Sequence, residues 1–325
     1  MLKVVLVGYG ELASSLLLGI QESKHELVGV FRHEKVEYNP WILKIKDYVY
    51  PAPFYLLIKQ NNIPEINARS VNSEQFKKEI MRLQPDVILI GSWGEILKKD
   101  IIILPKVACI NCHPSMLPHH RGSNPYSSAI RAGEKITGVT FHLVDTGIDT
   151  GNILAQFAVK ITDDDTGTTL RTRCAYTARA GVVELLDGIE NGDVIPHPQD
   201  ENIASYFPRI SPMDVVIDWS KPAHTIYNQI RGLHPWTCCY TRYKDRFMRV
   251  ESAKIVDLAE KCTLPAGTIL SKMPKGLLVV TSDKNLGLHL ENVEVINFGL
   301  SLFSSPWSRI FIKYFVKVGD VLTEV

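Results

Sequence analysis

Three residues of this chain carry side chains suited to handling a proton and a developing negative charge, and they sit in two short strings. Asn111 and His113 lie in Asn-Cys-His-Pro-Ser-Met-Leu-Pro, residues 111–118, and Asp149 lies in His-Leu-Val-Asp-Thr-Gly-Ile-Asp-Thr-Gly, residues 142–151. An imidazole accepts a proton near neutral pH, a carboxamide can donate N–H to an oxygen gaining charge, and a carboxylate can orient the imidazole and stabilise its charged form. Together they suit acyl transfer to an amine, which must lose a proton to become nucleophilic. Singly, each has an ordinary structural reading: Asn111 as a turn former, His113 as a hydrogen-bonded core residue, Asp149 as a turn residue ahead of Gly151.

The elements that must position them follow from the apolar pattern. Residues 107–110, Val-Ala-Cys-Ile, read as a strand entering a buried sheet, which puts Asn111 and His113 two residues apart on one side at its end. Pro114 and Pro118 stop that strand and stiffen the next loop, while Gly147 and Gly151 let the second string bend so that Asp149 turns inward. Residues 4–7, 27–31, 87–90 and 139–143 are further short apolar runs, with helical patterns at 12–20 and 74–83 between them. Strands alternating with helices imply an α/β, Rossmann-like, mostly parallel sheet covered on both faces. A long helix follows Thr166, carrying Leu170, Ala175, Val182, Val183, Leu185 and Leu186 and ending at Gly192. Residues 195–200 read as a connector. A helix with Ile226, Ile230 and Leu233 on one stripe comes next, then short strands at 237–243, 248–256, 277–280 and 286–290.

At 325 residues, 45% hydrophobic and 22% charged, the chain has the size for two cores and the composition of an ordinary globular protein. No charged leader with an apolar stretch opens the sequence, and no apolar run nears the roughly 18 residues that span a bilayer. A cytoplasmic protein without membrane partners is expected. Residues 209–325 hold 15 Lys and Arg against 11 Asp and Glu, so the basic excess there is small for a nucleic-acid surface.

Two motifs are decoys. Cys109-Ile-Asn-Cys112-His113 spells the c-type haem signature but lies in a strand-like, unexported stretch, and a zinc site from Cys109, Cys112, His119 and His120 would have to fold back across Pro114 and Pro118. No metal is expected. Gly8-Tyr-Gly10-Glu-Leu-Ala13 fits a dinucleotide turn, with Arg32 placed to meet a 2′-phosphate, so an NADP-dependent Rossmann oxidoreductase is the alternative from another class. Any parallel-sheet domain, however, needs a tight first turn.

Asn-x-His-x-Ser-x-Leu-Pro, followed 36 residues after the histidine by the aspartate of the second string, resembles the folate-dependent N-formyltransferases. The likeness spans nearly the whole chain. It implies formyl transfer from 10-formyltetrahydrofolate, as co-substrate, to a primary amine, with Asn111, His113 and Asp149 as the catalytic set. Asn111 would point its NH2 at the formyl oxygen, His113 would take a proton, and Asp149 would hold His113 in the right tautomer. It implies a folate pocket lined by Trp93, Gly94, Ile96 and Leu97 and by Ser115, Met116, Leu117 and Pro118, with Arg121-Gly122 nearby; Trp93 also reads as a packing residue. The segment from Asp218-Trp219-Ser220, with Pro265-Ala-Gly-Thr-Ile269, looks like the small OB-like β-barrel domain of methionyl-tRNA formyltransferases and some amino-sugar formyltransferases. The implied organisation is a catalytic domain at 1–200, a linker at 201–208 and an OB-like domain at 209–325.

The acceptor is the open point. The region 31–55, where methionyl-tRNA formyltransferases carry a basic loop, has no basic run and holds Tyr38, Trp41, Tyr48, Tyr50, Phe54 and Tyr55 instead. Such aromatics suit stacking on the base of a nucleotide-linked amino sugar, although a packed helical insertion would also use them. Arg242, Lys244, Arg246 and Arg249, with the full-length second domain, suit tRNA.

Overall fold

The computed structural model describes residues 1–273, 276–296 and 304–325. The chain separates into two compact units, one of Met1–Pro125, Lys135–Ile161 and Thr169–Phe207, the other of Tyr126–Glu134, Thr162–Thr168 and Pro208–Val325.

In chain order the first unit is built on β1 (Lys3–Gly8), α1 (Gly10–Glu22), β2 (Glu26–Arg32), α2 (Glu34–Glu37), α3 (Pro40–Val49), α4 (Pro53–Gln60), α5 (Glu74–Leu83), β3 (Val87–Gly91), α6 (Lys99–Ile102), β4 (Ala108–His113) and β5 (Arg121–Gly122). After α7 (Pro125–Ala132) come β6 (Ile136–Leu143), β7 (Ile153–Lys160), α8 (Gly167–Asn191) and β8 (Tyr206–Phe207). Six strands form one sheet in the order β2-β1-β3-β4-β6-β7. The first four run parallel, and β6 and β7 are antiparallel additions at the β4 edge. Val4, Val5, Leu6, Val7, Val87, Ile88 and Leu89 are fully enclosed, the continuous apolar reading of strands covered on both faces. Leu12, Ala13, Leu16, Leu17 and Ile20 of α1 and Leu170, Val182, Leu185 and Leu186 of α8 are buried, as their helical stripes require.

The first turn is tight for reasons of packing. A Cβ on Gly8 would lie 2.1 Å from the Gly91 carbonyl oxygen, and Gly10 sits at φ +67°. Arg32, at the end of β2, is buried and bound by Asp47 and Glu65, with Nε to Glu65 Oε2 at 2.7 Å. Burial opposes its charge, but the two carboxylates outweigh that and raise its pKa. Its charge is therefore spent inside the protein and is not offered to a 2′-phosphate. Residues 201–208, expected as a linker, carry a 3-10 turn at Glu201–Ile203 and β8, which pairs with β5. The bidentate Arg121–Glu201 pair, at 2.7 and 2.9 Å, ties this stretch down.

The second unit contains α9 (Ala223–Leu233), β9 (Cys239–Tyr243), β10 (Arg246–Asp257), β11 (Ile269–Met273), β12 (Gly276–Val280), β13 (Leu286–Ile296) and α10 (Ser304–Tyr314). Its antiparallel sheet has the order β11-β12-β13-β10-β9. The C-terminal residues bridge both edges: Thr323 exchanges two 2.9 Å backbone bonds with Arg242 of β9, and Val321 bridges Thr268 just before β11. That closure gives the small barrel the sequence suggests, and covering both edges removes unpaired strand groups. Ile226, Ile230 and Leu233 of α9 join Trp219, Cys239, Met248, Leu288 and Leu290 in its core. Among the described residues no helix is long and apolar enough to cross a membrane.

Candidate active site

Asn111 and His113 occupy alternate positions of β4 and share a face. The antiparallel neighbour β6 places His142 opposite Asn111 and Thr140 opposite His113. Asp149 follows β6 in a loop at φ +57°, a left-handed conformation that a non-glycine residue adopts at a cost of about 1–2 kcal/mol. Gly147 and Gly151 allow this loop by leaving space: a Cβ on Gly151 would stand 1.8 Å from the Leu143 carbonyl oxygen, and one on Gly147 would stand 2.0 Å from Thr150 Oγ1. The unusual dihedral belongs to the aspartate itself.

Four side chains converge there. Asp149 Oδ1 lies 3.5 Å from His113 Nδ1, 3.6 Å from His142 Nε2 and 3.3 Å from Asn111 Nδ2, and Asn111 Nδ2 is 3.1 Å from His142 Nε2. Asp149 Oδ2 accepts from Gly122 N–H at 2.9 Å. His113 Nε2 faces the His120 carbonyl at 2.9 Å, which fixes the proton of the neutral ring on Nε2 and leaves Nδ1 as its basic nitrogen. The tautomer is thus set by a peptide carbonyl. Asp149 instead stands beside Nδ1, the basic nitrogen of that ring.

Burial lowers the His113 pKa; Asp149 and the His120 carbonyl pull it up and His142 pulls it down, with a net fall below 6.5. Burial works against the Asp149 charge, yet His113, His142 and the Gly122 N–H outweigh it and hold the carboxyl well below the usual carboxylate range. At neutral pH the site therefore holds a neutral imidazole next to an anion, the resting state a proton acceptor needs.

A second layer holds the aspartate turn. Gln199 Nε2 donates to the carbonyls of Asp149 and Gly151, both at 2.8 Å, while its Oε1 accepts from Arg121 Nε and Nη2 at 3.1 and 2.8 Å. Every hydrogen-bonding position of the Gln199 carboxamide that counts here is used. His142, Gln199 and the His120 carbonyl were not foreseen from the sequence. His142 had a usable signal, since it stands at the end of an apolar run that must lie beside the Asn111 strand.

The eight folate-lining candidates divide by position. Leu97 is in the core cluster with Phe31, Phe76 and Ile101, whereas Ile96 and Gly94 are exposed. Ser115 and Leu117 are buried: Ser115 Oγ donates to the His119 carbonyl at 2.6 Å, and Leu117 N–H donates to Thr140 Oγ1 at 3.1 Å. Gln156 Nε2 donates to the Leu117 carbonyl at 2.8 Å, and Met116 covers Gly138, so the loop 115–118 is docked on β6 and β7. The Pro118 carbonyl accepts from Ser205 N–H at 3.1 Å. Trp93 packs against Phe31 and His33 at 5.3 and 5.4 Å between ring centroids. Its Nε1 and Glu95 Oε1 are buried with no hydrogen-bond partner, a donor and an acceptor that a heterocycle edge would satisfy.

The cysteines of the haem-like string are structural. Cys109 and Cys112 are buried in β4, and burial pushes the Cys109 thiol up to about 12, which leaves it no thiolate at neutral pH. His119 is exposed and His120 stacks on Phe207 at 5.0 Å, so these four do not gather as ligands.

Beyond β2, residues 32–69 enclose an open cleft of about 740 Å³. One wall is α3, whose Trp41, Ile45 and Tyr48 form an exposed stripe at i, i+4 and i+7. Arg32, Asp47 and Glu65 also line the cleft, Arg32 lies 4.4 Å from the Tyr55 ring centroid, and Lys35, Lys44 and Arg69 are among the other lining residues.

Residues 3–186 match the family model for formyl transferase, and residues 209–294 match that for the formyl transferase C-terminal domain. The methionyl-tRNA formyltransferase of Pseudomonas syringae pv. tomato is 31% identical over 307 residues, covering 94% of this chain and 95% of its own. That of Caldanaerobacter subterraneus subsp. tengcongensis is 33% identical over 293 residues, covering 87% and 89%. The fold is similar to that of an N-formyltransferase from Helicobacter canadensis solved with folinic acid and dTDP-3-aminofucose, with a TM-score of 0.67 at 19% identity, covering 90% and 99% of the two chains. The resemblance carried by Asn111, His113 and Asp149 thus extends over both domains, and the chain belongs to the formyl transferase family.

Proposed function

We propose that this chain moves a formyl group from 10-formyltetrahydrofolate to the primary amine of a nucleotide-linked amino sugar. The observation that carries the choice of acceptor is the cleft of residues 32–69. Its aromatic stripe suits a nucleobase and its Lys44 and Arg69 suit a diphosphate, in a volume typical of small-molecule sites. Arg32, Gly8 and Gly91 are register partners in one row across β2, β1 and β3, and Ile90 pairs with Asn111 in β4. Three strand spacings put the end of β2 on the order of 14 Å from the catalytic strand. A nucleoside diphosphate can bridge such a gap and leave the sugar amine beside His113. The Helicobacter canadensis protein, solved with a dTDP-linked amino sugar, supports the same reading.

In the reaction, the amine nitrogen bonds to the formyl carbon while the bond from that carbon to the folate nitrogen breaks. His113 Nδ1 takes the proton that the amine loses, and the charged ring rests against Asp149. The proton then passes to the departing folate nitrogen, so the enzyme ends as it began. Asn111, held against the same carboxylate, supplies a further polar contact to the reacting groups. Trp93 Nε1 and Glu95 Oε1 offer the pterin edge a donor and an acceptor, beside the exposed Ile96. Neither metal nor covalent enzyme intermediate enters this scheme.

The identity to methionyl-tRNA formyltransferases favours a second reading, initiator tRNA as acceptor. Against it, several barrel cations are already paired: Lys244 with Asp320 at 3.0 Å, Arg249 with Glu294 at 3.6 Å and Lys254 with Glu291 at 2.8 Å. Direct assay of both acceptors tests the choice. The proposal expects formylated sugar, and formylation of methionyl-tRNA alone would replace it with the second reading.

A further inference from the structure

His142 is not among the residues that the sequence puts forward for chemistry, yet it touches two that are. Its Nδ1 is 2.8 Å from the Leu143 carbonyl, so in the neutral ring Nδ1 carries the proton and Nε2 is an acceptor. That acceptor meets Asn111 Nδ2 at 3.1 Å, and the same amide nitrogen donates to Asp149 Oδ1 at 3.3 Å. The amide nitrogen of Asn111 therefore faces inward. Turning the amide over would put its oxygen 3.1 Å from an imidazole lone pair and 3.3 Å from a carboxylate oxygen, two contacts between acceptors.

We propose that His142 is a positioning residue that locks the Asn111 amide with its carbonyl oxygen outward, so that Asn111 acts on the attacking amine by accepting its N–H. This departs from the oxyanion-donor role that the sequence suggests for Asn111. It rests on the formyl-transfer reading for its kinetic test only. His142 Nε2 is 3.6 Å from Asp149 Oδ1, too far for a good hydrogen bond, so its hold on the aspartate runs through Asn111. Thr140 and Asn111 are the register partners of His113 and His142 across β4 and β6.

Two measurements test it independently. In protein labelled with 15N on asparagine and histidine side chains, a coupling across the hydrogen bond should link Asn111 Nδ2 to His142 Nε2. Its absence, with the Asn111 side-chain signals resolved, would overturn the proposal whatever the acceptor of the enzyme is. In kinetics, His142→Leu removes the acceptor and His142→Gln restores one at about the same place. The leucine variant should lose roughly a hundredfold in kcat with the KM for folate unchanged, the scale expected when a reacting group is displaced by about 1 Å, and the glutamine variant should recover most of it. Wild-type kcat in the leucine variant, or equal loss in both variants with unchanged Tm, would sink the idea. If neither variant nor the wild type formylates any amine, the proposed function fails while the coupling still decides the role of His142.

Discussion

The carboxylate of Asp149 faces Nδ1 of His113 at 3.5 Å, while the opposite ring nitrogen of His113 is held by a peptide carbonyl at 2.9 Å. In the proposed reaction one nitrogen is thereby kept for the proton in transit, and the anion that would balance it is already in place. The cost of enclosing that anion is offset by the Gly122 N–H and the Asn111 amide, which donate to it at 2.9 and 3.3 Å.

This arrangement fixes the sign of the pH dependence. His113 works in its neutral form, and its pKa lies below 6.5, so kcat/KM should stay level down to about that pH and fall as pH drops through the lowered pKa. Asp149→Asn removes the charge that pulls the pKa up. In that variant the acid limb should move to still lower pH while kcat drops by roughly a hundredfold or more for want of the anion. A pH profile of both proteins measures this, and an acid limb that moves to higher pH in the variant would contradict the assignment.

His113→Ala and Asn111→Ala should each lower turnover by at least about a hundredfold, because both side chains act on groups that change charge in the transition state. Tetrahydrofolate affinity, read by calorimetry, should change little. Wild-type turnover in either variant would remove that residue from the catalytic set.

Gln199 has no reach to the substrate in this account, yet it anchors the left-handed Asp149 turn through two carbonyls. Gln199→Ala should cost about 1–3 kcal/mol of stability, visible as a lower Tm, and should lower kcat with little change in either KM. A lower Tm with kcat intact would make Gln199 a purely structural residue.

The cleft predicts a different kinetic signature. Trp41→Ala or Tyr48→Ala should raise the KM of a nucleotide-linked acceptor tenfold or more, since base stacking is worth about 1–3 kcal/mol, and should leave the KM for folate unchanged. Arg32→Met should behave otherwise. It strands Asp47 and Glu65, and a loss of about 3–5 kcal/mol of stability is expected from thermal or urea unfolding.

Much of the scaffold was legible because burial writes itself into composition. Val4 to Val7 and Val87 to Ile90 are uninterrupted apolar runs, and a strand covered on both faces needs no other signal. β7 escaped notice because its exposed and buried positions do not alternate cleanly, with Gln156 turned toward the 115–118 loop. Asn111, His113 and Asp149 were legible as types at a spacing. What the sequence hides is geometry between distant positions: the register that sets His142 against Asn111, the return of Gln199 to Asp149 across 50 residues, and the pairing that consumes the charge of Arg32. The glycines of the Asp149 loop show the same limit. The sequence points to conformational freedom at Gly147 and Gly151, whereas in the structure they serve by having no Cβ to collide with Leu143 or Thr150.

Formyl transfer to a nucleotide-linked amine is tested by supplying the purified protein with 10-formyltetrahydrofolate and either nucleotide-linked amino sugars or methionyl-tRNA, at about 50 and 200 mM salt, and following N-formyl product by mass spectrometry. The expected product is an N-formylated sugar, formed in step with tetrahydrofolate, at rates that change little with salt. Efficient formylation of methionyl-tRNA that collapses as salt rises, with no sugar product, would contradict it and make the barrel domain the better guide to the acceptor.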